Sequence, residues 1–332
     1  MTFPHIWIPN KKIIENTREL VLPKSRVSGR YTIVGRRPDG RERLIADHEN
    51  LITDIGLDRW GVGSIASYCS VGSGSTTPTY SDSAMETLVA VHNSIVNTWD
   101  EVVNDGQYST RALRVYRFNP PGANHNLSEV GVGWENDGSG LFSRSLIKNA
   151  QGQPTTVQWL ADETLDVTYG LYRYPWYDDV PYTTTISGVE YTGIIRASEI
   201  DTASHWSPEI NGSINIGYNP SSASGNYDYS PYLYNGSIGT NTSSPSGSYW
   251  GTQYGTSYWI SRPAYVSGSY KRTGTFRVGP TEANLSGGIT AIRLMNQAGA
   301  YQMSVSPAIP KVADYTLTLN FETPTWGRYI VS

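Results

Sequence analysis

Arg114-Val-Tyr-Arg-Phe-Asn-Pro-Pro-Gly-Ala-Asn-His-Asn126-Leu127-Ser128 returns in loosened form as Thr275-Phe-Arg-Val-Gly-Pro-Thr-Glu-Ala-Asn284-Leu285-Ser286, with Asn126 and Asn284 separated by 158 positions. Leu165-Asp-Val167-Thr-Tyr169 then returns as Leu317-Thr-Leu319-Asn-Phe321 at an offset of 152, and Pro175-Trp176 as Pro324-Thr-Trp326. One match would be coincidence, but ordered matches at a nearly constant offset mark a tandem duplication of about 150 residues. A looser echo links Ser70-Val-Gly-Ser-Gly-Ser to Ile216-Gly-Tyr-Asn-Pro-Ser. A length of 332 residues suits two domains. With the junction near Tyr177–Pro181, the chain divides into an extended N-terminal arm (1–29), a first domain (30–176) and a second domain (177–332) carrying a Tyr/Gly/Ser-rich insertion near 207–261.

Inside each copy the apolar residues alternate. Leu165, Val167, Tyr169 and Leu171 point one way; Tyr315, Leu317, Leu319 and Phe321 do the same, with Asp314, Thr316, Thr318 and Asn320 between them. A period of two predicts strands with one buried and one wet face, as in antiparallel sheets packed as a sandwich. Composition agrees: 33 Gly, 19 Pro, 24 Tyr and 10 Trp with only 16% charged residues favour strands and turns over helices. The fold expected is all-β, a tandem of antiparallel β-sandwich-like domains with an extended N-terminal arm and one or two short helices. Thr53 or Asp54 caps a helix through Trp60, and Ser83 with Glu86 forms a capping-box pattern for another at Met85–Ala90. Pro38-Asp39-Gly40 turns a hairpin between Tyr31–Arg37 and Arg41–Ala46.

Catalytic patterns were weighed and set aside. Cys69, the single cysteine, makes no intramolecular disulfide and no cysteine-based zinc cluster. His5, His48, His92, His125 and His205 show no metal-ligand spacing and are read as surface or turn residues. Gly-x-Ser-x-Gly is absent, and Gly61-Val-Gly63-Ser-Ile-Ala66 follows a helix rather than a strand, so neither a nucleophile elbow nor a dinucleotide loop is supported. Glu135-Asn136-Asp137-Gly138-Ser139 could offer oxygens to calcium but has hairpin-turn chemistry. Asp178-Asp179, beside Trp176 and Tyr177, could be paired carboxylates for cleaving a glycosidic bond, but neighbours on an extended chain point to opposite faces, which favours an interdomain junction. No cofactor, metal or catalytic residue is expected.

The surface is more informative. Residues 11–43 hold ten of the 25 basic residues and four acidic ones, within a net charge of −4. This front segment can meet an acidic surface or simply be a solvated hairpin. The arm's Phe3, Ile6 and Trp7 are unfavourable in water and should lie against the body or a neighbouring subunit. We therefore expect Phe3, Ile6, Trp7, Arg36, Arg37, Arg41 and Arg43 to form one docking surface, so that deleting residues 1–29 blocks docking but leaves both sandwiches folded. The Tyr/Trp-rich segment, with Tyr227, Tyr229, Tyr232, Tyr234, Tyr249, Trp250, Tyr254, Tyr258 and Trp259, suits subunit packing or a receptor at the opposite, outward end.

Glu49-Asn50-Leu51-Ile52-Thr53-Asp54-Ile55-Gly56-Leu57-Asp58, then Val71-Gly-Ser-Gly-Ser-Thr-Thr-Pro and the Asp82–Ala90 segment, resembles the opening of minor virion proteins of tailed bacteriophages. Leu127-Ser128-Glu129-Val130-Gly131, Leu141-Phe142-Ser143-Arg144 and Leu160-Ala161-Asp162-Glu163 continue the resemblance across residues 30–175. It implies a non-enzymatic tail or tail-fibre component that serves assembly or host attachment and resides in the virion after synthesis in the host cytoplasm. Alternatives are a glycan-binding receptor-recognition protein, a capsid decoration protein and, last, a glycan-degrading tail enzyme. The expected partners are other virion proteins, further copies of the chain as a homo-oligomer, and a host surface glycan or protein. No signal peptide or apolar span long enough for a membrane is seen, and no nucleic-acid-reading motif accompanies the basic residues.

Overall fold

A computed structural model describes residues 12–16, 19–216, 231–251 and 258–329, with backbone alone at 12–14 and 258–260. The N-terminal segment carries β1 (Lys12–Glu15) and β2 (Leu20–Val21). The first half then runs β3 (Ser25–Arg36), β4 (Glu42–Glu49), β5 (Leu51–Ile52), α1 (Asp54–Arg59), β6 (Tyr68–Gly72), β7 (Leu88–His92) and β8 (Ile95–Asn104). It continues with β9 (Tyr108–Phe118), β10 (His125–Leu127), β11 (Glu129–Gly133), β12 (Leu141–Leu146), β13 (Val157–Trp159) and β14 (Thr164–Tyr174). The second half has β15 (Val180–Ile186), β16 (Val189–Ala197), α2 (Ala203–Trp206), β17 (Tyr232–Tyr234), β18 (Tyr249–Trp250) and β19 (Tyr258–Ser261). It ends with β20 (Thr273–Val278), β21 (Ile289–Asn296), β22 (Gly299–Ile309), β23 (Tyr315–Glu322) and β24 (Trp326–Arg328). The protein is all-β, built from antiparallel sheets in β-sandwich-like halves.

The halves share a pairing pattern. One sheet of the first half has the order β5-β12-β11-β6-β7, and the second half repeats it as β16-β22-β21-β17-β18 with β15 added beyond β16. The partner sheets run β24-β3-β14-β9-β8, with β4 on β3, and β1-β23-β20-β19, with β2 on β23. Their registers coincide: Leu165 faces Phe118 and Val167 faces Tyr116, while Leu317 faces Val278 and Leu319 faces Phe276. The looser echo at Ile216 does not hold, because Ile216 lies in a turn and the strand in the position of β6 is β17.

Each half also lends strands to the other. β1 and β2 run parallel to β23 in the second half, and Leu20 and Leu22 are buried in its core. β24 runs parallel to β3, and Trp326 is buried in the first core with Ile210, Ile214 and Ala298. The expected boundaries at 29/30 and 176/177 are thus crossed in both directions. The expectation that residues 1–29 can be deleted from two intact sandwiches fails: β3 begins at Ser25, and the preceding strands complete the other half. α1 reinforces the join, since Asp58 accepts bonds from Tyr265 (2.8 Å) and the Ser267 hydroxyl (2.7 Å), and the Trp326 indole donates to the Leu57 carbonyl (2.9 Å).

Local expectations divide. Thr53 caps α1, its hydroxyl accepting from the Gly56 amide at 2.9 Å. The hairpin forms with Arg36 opposite Glu42, and Gly40 takes φ +83°, where a side chain would be strained. Asn136-Asp137-Gly138 turns between β11 and β12, Gly138 at φ +79°. The helix expected at Met85–Ala90 is instead loop and strand β7. Its supposed cap partner, Glu86, points away to accept from the Ser75 and Thr76 amides (2.6 and 2.7 Å), and Val89 and Val91 suit the pleat against β6. Thr316 and Thr318 were expected on a wet face but are buried, because β23 lies inside its sheet with both faces covered. His48 is also buried rather than at the surface; its ring packs beside Tyr31, and burial lowers its pKa.

Candidate contact sites

Four of the segments singled out in the sequence, 71–78, 82–90, 127–131 and 141–144, meet in one clasp. Glu129, on β11, is fully buried and accepts four hydrogen bonds. One carboxylate oxygen takes the Gly74 and Thr87 amides (3.1 and 2.8 Å); the other takes the Glu86 amide (3.3 Å) and Arg144 Nε (2.8 Å). Arg144 continues to Asp82 at 2.7 Å and to the Thr76 carbonyl at 3.2 Å. Ser128 donates to the Gly74 carbonyl (2.7 Å). A Cβ at Gly74 would sit 2.5 Å from both the Glu129 carboxylate and Glu86, so the glycine admits the carboxylate to the backbone. This network pins the long loop between β6 and β7, and its acidic groups are committed to holding the chain together.

The basic hairpin is largely neutralised within its own half. Arg36 donates to Asp166 (2.6 Å) and bonds Glu42, Arg41 pairs with Asp39 (2.6 Å), and Arg43 grips Glu163 with two bonds of 2.8 Å. Burial would raise the Asp166 carboxyl, but Arg117 and Arg36 hold it below the ordinary range. Arg37 gives its backbone amide to the Arg41 carbonyl across the turn. Phe3, Ile6 and Trp7 lie outside the described residues.

The aromatic segment is partly strand. Tyr234 is buried and Trp250 packs on the second core, whereas Tyr249 is 61% exposed. Tyr249 lies 5.8 Å from the Tyr232 ring and 5.4 Å from Tyr234, and the Arg293 guanidinium sits 5.6 Å from the Tyr232 ring. Behind them Glu199 bonds Arg293, with His205 Nδ1 at 3.3 Å. Burial would raise the Glu199 carboxyl, but His205 and Arg293 bring it to about 2. Tyr258 and Trp259 belong to β19, while Tyr227, Tyr229 and Tyr254 lie outside the described residues. Asp178 and Asp179 do not converge: Asp179 is held by Arg196 with two bonds of 2.6 Å, and Asp178 lines a groove with Arg26 and Trp176.

Two further places were not foreseen. At the junction, a cleft of about 380 Å³ is walled by β8, β9 and the segment from Ser204 to Asn211; buried Arg114 lines it and donates to the Ala66 carbonyl. On the outward face of β4, β3, β14 and β9, a depression of about 160 Å³ is lined by Arg30, Asp47, Arg111, Leu113, Gly170 and Tyr172. Trp99, 39% exposed, stands in the same cross-strand row, since Trp99 faces Leu113, Leu113 faces Gly170 and Gly170 faces Arg30. Sequence reading missed this row because its members lie far apart in the chain. The available signal was a lone Trp in the otherwise polar run Asn97–Glu101.

Among the described residues, no three His, Cys, Asp or Glu side chains are grouped to hold a metal ion, and no helix is long and apolar enough to cross a membrane. Compared with protein families, curated proteins and solved structures, the chain matches none.

Proposed function

We propose that the chain is a non-enzymatic structural protein of a tailed-bacteriophage virion, a tail or tail-fibre component acting in assembly and host attachment. The observation that carries this reading is the Glu129–Arg144 clasp. The residues through which the sequence resembles virion proteins, spread from the Gly-Ser-rich turn after β6 to Arg144, close on one another as a single scaffold. Within this scaffold the carboxylates of Asp82, Glu86 and Glu129 are engaged by backbone amides and an arginine, as a part that holds the chain together requires. The tandem duplication belongs to the same reading, supported by the common register of β9–β14 and β20–β23. Attachment to the particle falls to the front of the chain and host contact to the Tyr249 edge.

The test is mass spectrometry of gradient-purified particles from a lysate whose phage genome encodes the chain. Its peptides should co-purify with tail proteins at a fixed stoichiometry. Peptides found only in the soluble fraction would overturn the proposal.

A further inference from the structure

We propose that Asn211 is a site of spontaneous covalent modification: its carboxamide cyclises onto the Gly212 amide and opens to aspartate or isoaspartate, within the segment that joins the second half to the first. The inference does not depend on the virion assignment.

The chain holds one tripeptide twice, as Asn211-Gly212-Ser213 and Asn235-Gly236-Ser237. Glycine after asparagine favours the reaction because no Cβ shields the attacking nitrogen. Identical neighbours give both sites the same local chemistry, so a difference in rate comes from the fold. The Asn235 carboxamide is clamped at both ends: Nδ2 donates to the Ser286 carbonyl (3.1 Å), and Oδ1 accepts from the Ser248 amide (2.9 Å). Both bonds must open before Cγ can swing over the Gly236 nitrogen, which slows attack by about tenfold or more. Asn211 is exposed in a bend and has only its backbone amide engaged, by Glu209 Oε1 at 2.8 Å. Among the described residues, neither its carboxamide nor the Gly212 amide has a hydrogen-bond partner. A Cβ built at Gly212 would meet nothing closer than Glu209 at 3.6 Å, so a ring has room to form.

Loss of the Gly212 amide proton lets the nitrogen attack Asn211 Cγ. The new N–C bond closes a succinimide, and the side-chain nitrogen leaves as ammonia. Water then adds to one of the two ring carbonyls and opens the ring. One opening gives aspartate on the original main chain; the other gives isoaspartate, in which the main chain runs through Cγ.

The position makes the change consequential. The Trp60 indole donates to the Glu209 carbonyl, and the Ile65 amide and Ser64 hydroxyl both donate to the Ile210 carbonyl at 3.2 Å. The Ile214 amide donates to the Trp60 carbonyl at 2.8 Å, and Ile210 and Ile214 are buried in the first core. Asn211 thus lies between two anchors of the joint. Isoaspartate adds one carbon to the main chain between them, and either product places a new negative charge near Glu209. The joint between the halves therefore loosens with age.

The experiment is peptide mapping by mass spectrometry of the full chain, held folded in mildly alkaline buffer and sampled over weeks, beside a portion held in urea. In the folded chain Asn211 should deamidate faster than Asn235 by about tenfold or more, and in urea the two should react at equal rates. Gly212→Ala, whose Cβ makes only ordinary contacts, should suppress the reaction at Asn211 and leave Asn235 unchanged. The aged protein, but not the aged variant, should lose thermal stability. An Asn211 that stays intact, an Asn235 that reacts as fast in the folded chain, or a rate difference that persists in urea would overturn the inference, as would full conversion of Asn211 with no fall in stability.

Discussion

Replacing Glu129 by Ala should cost the protein about 3 kcal/mol, the low end of the range for breaking a buried ion pair. The low end applies because Arg144 keeps Asp82 at 2.7 Å and the Thr76 carbonyl at 3.2 Å, so its charge is not wholly stranded. What is lost are the acceptors for the amides of Gly74, Thr87 and Glu86, each costing about 1–3 kcal/mol if it stays dry. Opening of the loop between β6 and β7 lets water reach those amides and limits the sum. Urea denaturation should therefore show a lower midpoint, and amide exchange at Gly74 and Thr87 should accelerate far more than exchange in β14. In the double variant Glu129→Ala/Arg144→Met the cost should fall short of the summed single costs by about 1–3 kcal/mol, the coupling expected of residues in one network. A loss below about 1 kcal/mol, or strict additivity, would refute the view that this pair organises the loop.

Gly74→Ala, which forces a Cβ against the Glu129 carboxylate, should cost about 1–3 kcal/mol by thermal unfolding, whereas Gly327→Ala, where nothing lies within 4 Å, should change stability little. Glu199 has a folded pKa of about 2 against an ordinary 4.5, so its contribution is complete above pH 4.5 and disappears as the pH falls toward 2. The stability difference between the protein and Glu199→Gln, up to about 3 kcal/mol, should shrink across that window, and a difference constant with pH would contradict the assignment. Deleting residues 1–22 removes β1, β2, Leu20 and Leu22 at about 2 kcal/mol for each leucine and should render β23 sensitive to proteolysis.

The strands were legible because side-chain alternation and turn residues are local signals, and β14 and β23 both show the alternation of apolar with polar residues. Thr53 was legible for the same reason: an N-cap is decided within one helical turn. The Ser83–Glu86 pattern misled because its glutamate found better donors in the Ser75 and Thr76 amides, brought close by a loop that no short-range rule anticipates. The strand exchange was hidden too, since Leu20 and Trp326 read as ordinary apolar residues until the opposite half is placed beside them. Basic residues at 36–43 suggested an open positive surface, yet their partners Glu163 and Asp166 lie more than a hundred positions away and cancel most of it. The Trp99–Leu113–Gly170–Arg30 row was invisible for this reason as well, being defined only by cross-strand register.

The central claim, that this is a structural component of a phage tail, is tested most directly by immunogold electron microscopy of intact particles with antibody against the folded chain. The account predicts label confined to the tail or its fibres, in several copies per particle. Label distributed over the head would reassign the protein to capsid decoration, and unlabelled particles would contradict a virion role altogether.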